Sequence, residues 1–317
     1  MSTPPIVEVR VPTYKRTAWL RRALKSIQQQ TEENWKAVVI DDSPEQEGKG
    51  VVEALNDSRI EYEANSDNLG GAGNIDRAFE PGSFTGAPYA TILEDDNTLM
   101  PDFLKANLHA IDEHKVPLIL RNQQVWLQKL STEEDLGRTT RGNWFEAKIY
   151  EPKELHAFLF FFEGISNGGM FWRVNAGLDL VVGPDVTDSG LQEFLRTLQI
   201  DQPMRFEPEP LAVWSKMSDE LITRSTLDNR KYSRGKQSVM RYLIHHYGNS
   251  IIDEAYRIAE NHTVFRELEE ALIESGYYPR KPYHLSLSER LKLAVKSTIK
   301  FKWVNDPLLE YFYRKFS

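Results

Sequence analysis

The sequence predicts an α/β architecture, a mixed and mainly parallel sheet flanked by helices, followed by a C-terminal helical extension. Two observations carry this. Short apolar runs alternate with helical segments in the order β, α, β, α, β, for which a parallel sheet is the economical solution. Carboxylate clusters directly follow two of those runs: Val38-Val39-Ile40 leads into Asp41-Asp42, and Ala90-Thr91-Ile92-Leu93 leads into Glu94-Asp95-Asp96. Ligands of such sheets bind at the carboxyl ends of the strands, so both clusters stand where a ligand is expected. Carboxylates there do not attract a phosphate themselves, but they hold a hard divalent cation that bridges to one. The plain counterpart is a helix N-cap or a solvated loop.

Val7, Val9 and Val11 alternate with Glu8 and Arg10 up to Pro12-Thr13, a strand that ends in a polar turn. Trp19, Leu20, Ala23, Leu24 and Ile27 follow at helical spacing, with Arg21, Arg22 and Lys25 on the outer face. A second strand is expected over 35–40, a short helix over 50–55 and a third strand over 60–63. Residues 65–73 form a glycine-rich turn, 74–79 open a helix, and 89–93 are the next strand. Pro101 suits the first position of a helix over 102–114. Residues 116–128 supply one or two strands, and the aromatic run 158–162 belongs to the core. Residues 166–173 are a turn feeding a strand, and Leu191, Phe194, Leu195 and Leu198 define a helix. Strands are expected again over 204–206 and 211–214. Helical periodicity then dominates, near 238–247, 251–259, 264–275 and 287–301. The expected division is a domain over 1–217, with halves of about 1–100 and 101–217, and a helical region over 218–317.

Composition narrows the function. A net charge of −8 argues against a nucleic-acid partner, which needs a dominant basic field. With zero cysteines there is neither disulfide nor thiolate chemistry. Met1 to Pro5 lack the pattern of a secretory leader, and no apolar stretch approaches the roughly 20 residues of a membrane span, so a cytoplasmic protein is expected. His245, His246 and His262 have no acid or histidine at metal-ligand spacing. Gly71-Ala72-Gly73 makes a weak dinucleotide fingerprint, since it follows the third strand and Asp76 stands where the later glycine belongs.

Four segments occur in order, each at the end of its own strand: Val11-Pro12-Thr13-Tyr14-Lys15-Arg16, Val39-Ile40-Asp41-Asp42-Ser43, Asn68-Leu69-Gly70-Gly71-Ala72-Gly73 and Leu93-Glu94-Asp95-Asp96. The series resembles family 2 glycosyltransferases of the GT-A fold, a Rossmann-like sheet, over roughly Val7 to Trp214. The resemblance implies that Pro12, Thr13 and Tyr14 line the nucleoside of a nucleotide-sugar donor, with Tyr14 packing on the base and Arg16 nearby. It implies that Asp41 and Asp42 recognise the base or ribose. Asn68, Gly70 and Gly71 then lie near the diphosphate and donor sugar, together with Asp95. Asp96 and Glu94 are the implied ligands of Mn²⁺ or Mg²⁺, Glu94 standing where Asp is commoner. The family's later histidine ligand is missing from Ser215-Lys216-Met217-Ser218, where Lys216 is the one candidate cation for the departing diphosphate.

The same resemblance aligns Asp188 with the general base, Thr187 replacing its usual acidic neighbour. Asp185 is the reserve, and a helix N-cap is the alternative role of Asp188. Asn167, Gly168 and Gly169 are implied to meet the acceptor, a glycan or lipid-linked glycan. The implied reaction inverts the anomeric centre. The glycine segment is similar to that of rhamnosyl- and galactofuranosyltransferases, which implies dTDP-rhamnose or a UDP-sugar as donor. Two alternatives stay open, a nucleotidyltransferase and a non-catalytic binding module derived from a transferase. At the C-terminus Lys292, Lys296 and Lys300 share one helical face beside Leu291, Val295 and Ile299, with Trp303, Phe312 and Phe316 nearby. Such a helix suits either peripheral contact with the inner face of the membrane or oligomerisation.

Overall fold

The computed structural model describes residues 6–129, 132–162, 164–186, 188–218, 229–278, 284–301 and 315. Met1 to Pro5, Thr187, Lys302, Trp303, Phe312 and Phe316 lie outside them, as do the side chains of Ile299 and Lys300. The chain divides into two compact units.

The first unit comprises Met1–Tyr150, Ile165–Ser189 and Gln199–Ser225. Its described elements begin with β1 (Val7–Thr13), α1 (Thr17–Gln28), β2 (Trp35–Asp41), α2 (Glu47–Leu55), β3 (Ile60–Ala64), α3 (Gly70–Ala78) and β4 (Tyr89–Ile92). There follow β5 (Thr98–Leu99), α4 (Phe103–His114), β6 (Leu118–Gln128), β7 (Glu133–Thr139), β8 (Ile149–Tyr150), β9 (Met170–Arg173) and β10 (Met204–Met217). They form one sheet in the order β3-β2-β1-β4-β9-β6-β10-β5, with β7 on β6 and β8 on β10. β3, β2, β1 and β4 are parallel neighbours, and β9 is antiparallel to both β4 and β6. β6 and β10 therefore run the same way as the first four, and the sheet is mixed but mainly parallel.

The parallel half is covered on both faces, as its apolar runs require. Val7, Val9, Val11, Ala37 and Val39 pack with Leu20, Leu24 and Ile27 of α1 in one core. Each fully buried aliphatic side chain there contributes about 1.5–3 kcal/mol. The charged Glu8 and Arg10 of β1 are 0% exposed. They pair with each other, and both reach into the chain between α3 and β4.

Among the elements that differ from the sequence expectation are α3, β7 and β10. α3 starts at Gly70, not near Asn74, because a carboxylate distant in sequence receives its first N–H groups. β7 is exposed along most of its length and carries no apolar alternation; its backbone is satisfied by pairing with β6. The two strands expected over 204–214 are one, β10, whose register jumps between Glu207 and Ala212 around Pro208 and Pro210. Proline lacks the ladder donor, so the chain loops out there and rejoins.

The second unit comprises Glu151–Gly164, Gly190–Leu198 and Thr226–Ser317. It contains α5 (Pro152–Ala157), most of α6 (Ser189–Leu198), α7 (Asn229–Tyr247), α8 (Asn249–His262), α9 (Phe265–Glu274) and α10 (Leu287–Phe301). Phe158, Leu159 and Phe160 are buried, as the aromatic run suggested. His156 accepts from the Tyr247 hydroxyl at Nδ1, 3.0 Å, and donates to the Thr197 carbonyl from Nε2, 3.1 Å. A glycine is required at Gly164, where a Cβ would stand 2.7 Å from the Glu193 carbonyl oxygen. No described helix is long and apolar enough to cross a membrane.

Candidate active site

The carboxyl ends of β1, β2 and β4 meet at one edge of the first unit. Thr13 lies opposite Asp41 in register, Asp42 N–H donates to the Thr13 carbonyl at 3.0 Å, and Leu93 N–H donates to the Arg10 carbonyl at 3.0 Å. The buried amide of Asn74 fastens the edge from α3, donating to the carbonyls of Thr13 and Ile40 at 3.2 Å each. Parallel pairing thus brings the first, second and fourth predicted segments together, and α3 brings the third.

The two acids after β2 hold the helices beside them. Asp41, 1% exposed, accepts from Ser43 N–H, Gly48 N–H and the Tyr62 hydroxyl at 2.9, 2.9 and 3.0 Å. Gly48 is small of necessity, since a Cβ there would stand 2.7 Å from Asp41 Oδ2. Asp42, 3% exposed, accepts from Leu69 N–H at 2.8 Å, Gly70 N–H at 2.9 Å and the Asn65 amide at 2.7 Å. These carboxylates sit at the positive ends of α2 and α3, where a negative charge is favoured. Each uses three of about four acceptor positions. Asn68, Leu69, Gly70 and Gly71 are exposed, and Gly70 has φ +71°, a left-handed conformation that glycine adopts without strain. The N-terminus of α3 is therefore capped by Asp42, with an exposed glycine turn around it.

The acidic turn after β4 is held by arginine. Asp95, 5% exposed, accepts from the Thr13 hydroxyl at 2.8 Å, Tyr14 N–H at 3.4 Å and Arg16 at 3.1 Å. Burial, and next the neighbouring Asp96 charge, push the Asp95 carboxyl up to about 6 against the pull of Arg16 and the two donors. The same Arg16 nitrogen meets Asp96 at 2.5 Å. Glu94 accepts from the Asn97 amide at 2.8 Å, and Asn97 in turn accepts from Ser215 N–H at 2.8 Å. The end of β10 is thereby fixed against the turn, with Lys216 exposed and Ser215 buried. Tyr14, 43% exposed, projects beyond the end of β1.

Arg22 completes this side. Its guanidinium donates to the Asp96 carbonyl and to the Ser215 hydroxyl, pairs with Glu133 and lies 4.6 Å from the Trp19 ring centroid. Helical periodicity placed Arg22 on a solvated outer face, and only the fold brings the acid turn to it. Asn74, Asn97 and Gln123 were likewise unmarked in the sequence. Gln123, 1% exposed, has no hydrogen-bond partner for either side-chain polar atom among the described residues. It lies under the buried turn Asn167–Gly169: a Cβ on Gly168 would be 3.0 Å from Gln123 Nε2, and one on Gly169 would be 2.4 Å from the Arg121 carbonyl oxygen.

Asp188 is half-buried and directly precedes α6, while Asp185 is exposed. Asp76 accepts from Val182 and Gly183 N–H at 3.1 and 2.7 Å, tying the segment that leads towards Asp188 to α3.

The donor set suits a hard cation. Asp96 and Glu94 offer carboxylate oxygens from one turn, and no group of three or more acid, histidine or cysteine ligands occurs among the described residues. Asp96 and Glu94 would hold a magnesium or manganese ion only with phosphate and water as its further ligands, and with Arg16, now paired to Asp96, giving way.

Known proteins are similar to this chain. The model of glycosyl transferase family 2 matches residues 8–166, which contain all four ordered segments. Over 121 residues the chain is 30% identical to the "putative colanic acid biosynthesis glycosyl transferase WcaA" of Escherichia coli (strain K12), 38% of this chain and 41% of that protein. Over 112 residues it is 32% identical to the GalNAc(5)-diNAcBac-PP-undecaprenol beta-1,3-glucosyltransferase of Campylobacter jejuni, 34% of this chain and 35% of that protein. The matched stretches thus span less than half the length of either relative. Among solved structures, S. aureus TarS 1-349 in complex with UDP-GlcNAc has a similar fold, with a TM-score of 0.64 and 15% identity across 98% of this chain and 92% of that one. The chain belongs to glycosyl transferase family 2 and is a glycosyltransferase of the GT-A fold.

Proposed function

We propose that this glycosyltransferase moves a sugar from a UDP- or dTDP-linked donor to a hydroxyl of a glycan or lipid-linked glycan, with inversion, divalent metal assistance and Asp188 as general base. The observation that carries the proposal is the continuous polar edge in which Gly70 N–H meets Asp42, Asp42 N–H meets Thr13, Thr13 meets Asp95, and Arg16 joins Asp95 to Asp96. UDP-GlcNAc in the TarS complex and the glucosyl transfer named for the Campylobacter relative support a nucleotide-sugar donor.

In this reading Pro12 and Thr13 line the nucleoside, and the exposed Tyr14 ring packs on the base. Asp41 and Asp42 would recognise a base N–H or a ribose hydroxyl in a charge-assisted bond, and since both are buried the turns they hold would have to admit the donor. Asn68, Gly70 and Gly71 form an exposed turn without bulky side chains, over which the diphosphate and donor sugar can come close to the backbone. Arg16 sets a positive charge between Asp95 and Asp96, next to the place where negative charge grows. Glu94 and Asp96 would hold Mn²⁺ or Mg²⁺, and the ion supplies neutralisation of the departing diphosphate. Asn167, Gly168 and Gly169 would meet the acceptor.

The acceptor oxygen bonds to the anomeric carbon as the bond to the phosphate oxygen breaks. The electron pair leaves with the nucleoside diphosphate, and the hydroxyl proton passes to Asp188. The nucleoside diphosphate leaves on the face of the sugar opposite to attack, which inverts the anomeric centre, and no covalent enzyme intermediate forms. A chain with zero cysteines fits a reducing cytoplasm.

Asp188→Asn tests the assignment. Transfer should fall by about 10²–10⁴ in kcat, while UDP binding in Mn²⁺ stays within about twofold of the wild type. Transfer within tenfold of the wild type would remove Asp188 from the chemistry and turn the test to Asp185→Asn.

A further inference from the structure

The helix α10 has its sides reversed relative to an ordinary surface helix. A capping box starts it: Ser286 N–H donates to Glu289 at 2.8 Å and Glu289 N–H donates to the Ser286 hydroxyl at 3.3 Å. Polar contacts then fix its rotation against α9. Arg266 pairs with Glu289 at 2.6 Å, Arg290 lies 3.9 Å from Glu269, and the Ser297 hydroxyl donates to the Glu274 carbonyl at 3.0 Å. With those residues turned inward, Leu287, Leu291 and Val295 are 65%, 56% and 55% exposed. Residues four apart on a helix share a face, so the three form one continuous apolar stripe.

The charge beside the stripe is of one sign. Ser288, Lys292 and Lys296 occupy the adjoining exposed row, and the acid of α10, Glu289, is half-exposed and paired with Arg266. Lys292 makes no salt bridge among the described residues, and Lys296 has only a 3.6 Å contact with the half-buried Glu274. A row of lysines beside a row of leucines and valine, on a chain of net charge −8, is a local basic and apolar strip. In water that strip is unfavourable. At a bilayer interface the apolar row enters the acyl boundary and the lysines meet headgroup phosphates.

We infer that α10 is an interfacial docking helix that seats this glycosyltransferase on an anionic phospholipid surface, apolar row inward and Lys292 and Lys296 at headgroup level. The inference holds whichever nucleotide sugar the active site uses. A docking helix of this kind gives reversible attachment, not insertion, since one short stripe buries little apolar surface.

Flotation of the full-length protein with phosphatidylcholine vesicles, with or without phosphatidylglycerol, tests this. The wild type should float with the anionic vesicles at least about tenfold more strongly than with neutral ones, and release on raising the salt. Leu291→Glu with Val295→Glu should abolish flotation without lowering the melting temperature, because both side chains already face solvent. Lys292→Gln with Lys296→Gln, which keeps the apolar row, should weaken partition to anionic vesicles by about tenfold or more and leave neutral vesicles unaffected. Absence of wild-type flotation, or equal flotation of wild type and both variants, overturns the inference. So does a dimer in sedimentation that Leu291→Glu with Val295→Glu dissolves while vesicles bind neither protein, since a second copy then covers the stripe.

Discussion

Asp95 is a carboxylate of the candidate site whose chemistry the fold alters. Its carboxyl is pushed up to about 6, chiefly by burial and then by Asp96. In the unfolded chain it titrates near 4, so the folded state binds the proton more tightly. Keeping Asp95 charged therefore costs stability above about pH 6, and that cost is relieved as the pH falls towards 4. The melting temperature of the wild type relative to Asp95→Asn should rise as pH drops from 7 to 4. The free-energy change is on the order of 2 kcal/mol, as two pH units imply. A flat or falling difference in paired thermal melts would contradict this.

The neighbouring glycines separate strain from function at the same scale. Gly169→Ala sets a Cβ 2.4 Å from a backbone oxygen that cannot move aside, and should cost about 1–3 kcal/mol in denaturant unfolding. Gly168→Ala meets only the end of the Gln123 side chain, so its cost should be clearly smaller.

Among the elements, β1 and the chain between α3 and β4 depend on one buried ion pair. Arg10 donates to the carbonyls of Ala78, Glu80 and Gly82, and Glu8 receives Phe84 N–H, Thr85 N–H and the Ser83 and Thr85 hydroxyls. Arg10→Met leaves Glu8 buried without its counter-charge and should lose about 3–5 kcal/mol; Glu8→Gln with Arg10→Met should lose less than the two single changes summed. Chemical denaturation of the four proteins measures this coupling.

That pair also shows how far a sequence speaks. Apolar runs and turn residues are local, so β1 to β4 and their helices were legible, as were the four polar segments at their ends. The burial of Glu8 and Arg10 depends on residues about 70 positions away. The start of α3 depends on Asp42, 27 positions upstream of Leu69. The position of Arg22 at the acid turn depends on β10 returning through Ser215. None of these leaves a periodic trace, and β7 leaves none because exposed strands need no apolar alternation.

At the scale of the molecule, family membership rests on residues 8–166, while the residues proposed to meet the acceptor, Asn167 to Gly169, and the proposed base Asp188 lie beyond that match. The donor edge is thus the part of the account on which the rest stands. Its central claim is that the turn after β4 binds a nucleoside diphosphate through a divalent cation. Titration calorimetry of UDP and dTDP into the wild type and Asp96→Ala, each with Mn²⁺ or with chelator, tests it most directly. One of the two nucleotides should bind the wild type in Mn²⁺ and lose at least about tenfold in affinity both with chelator and in Asp96→Ala. Binding of equal strength in all four conditions, or of neither nucleotide in any, would contradict it.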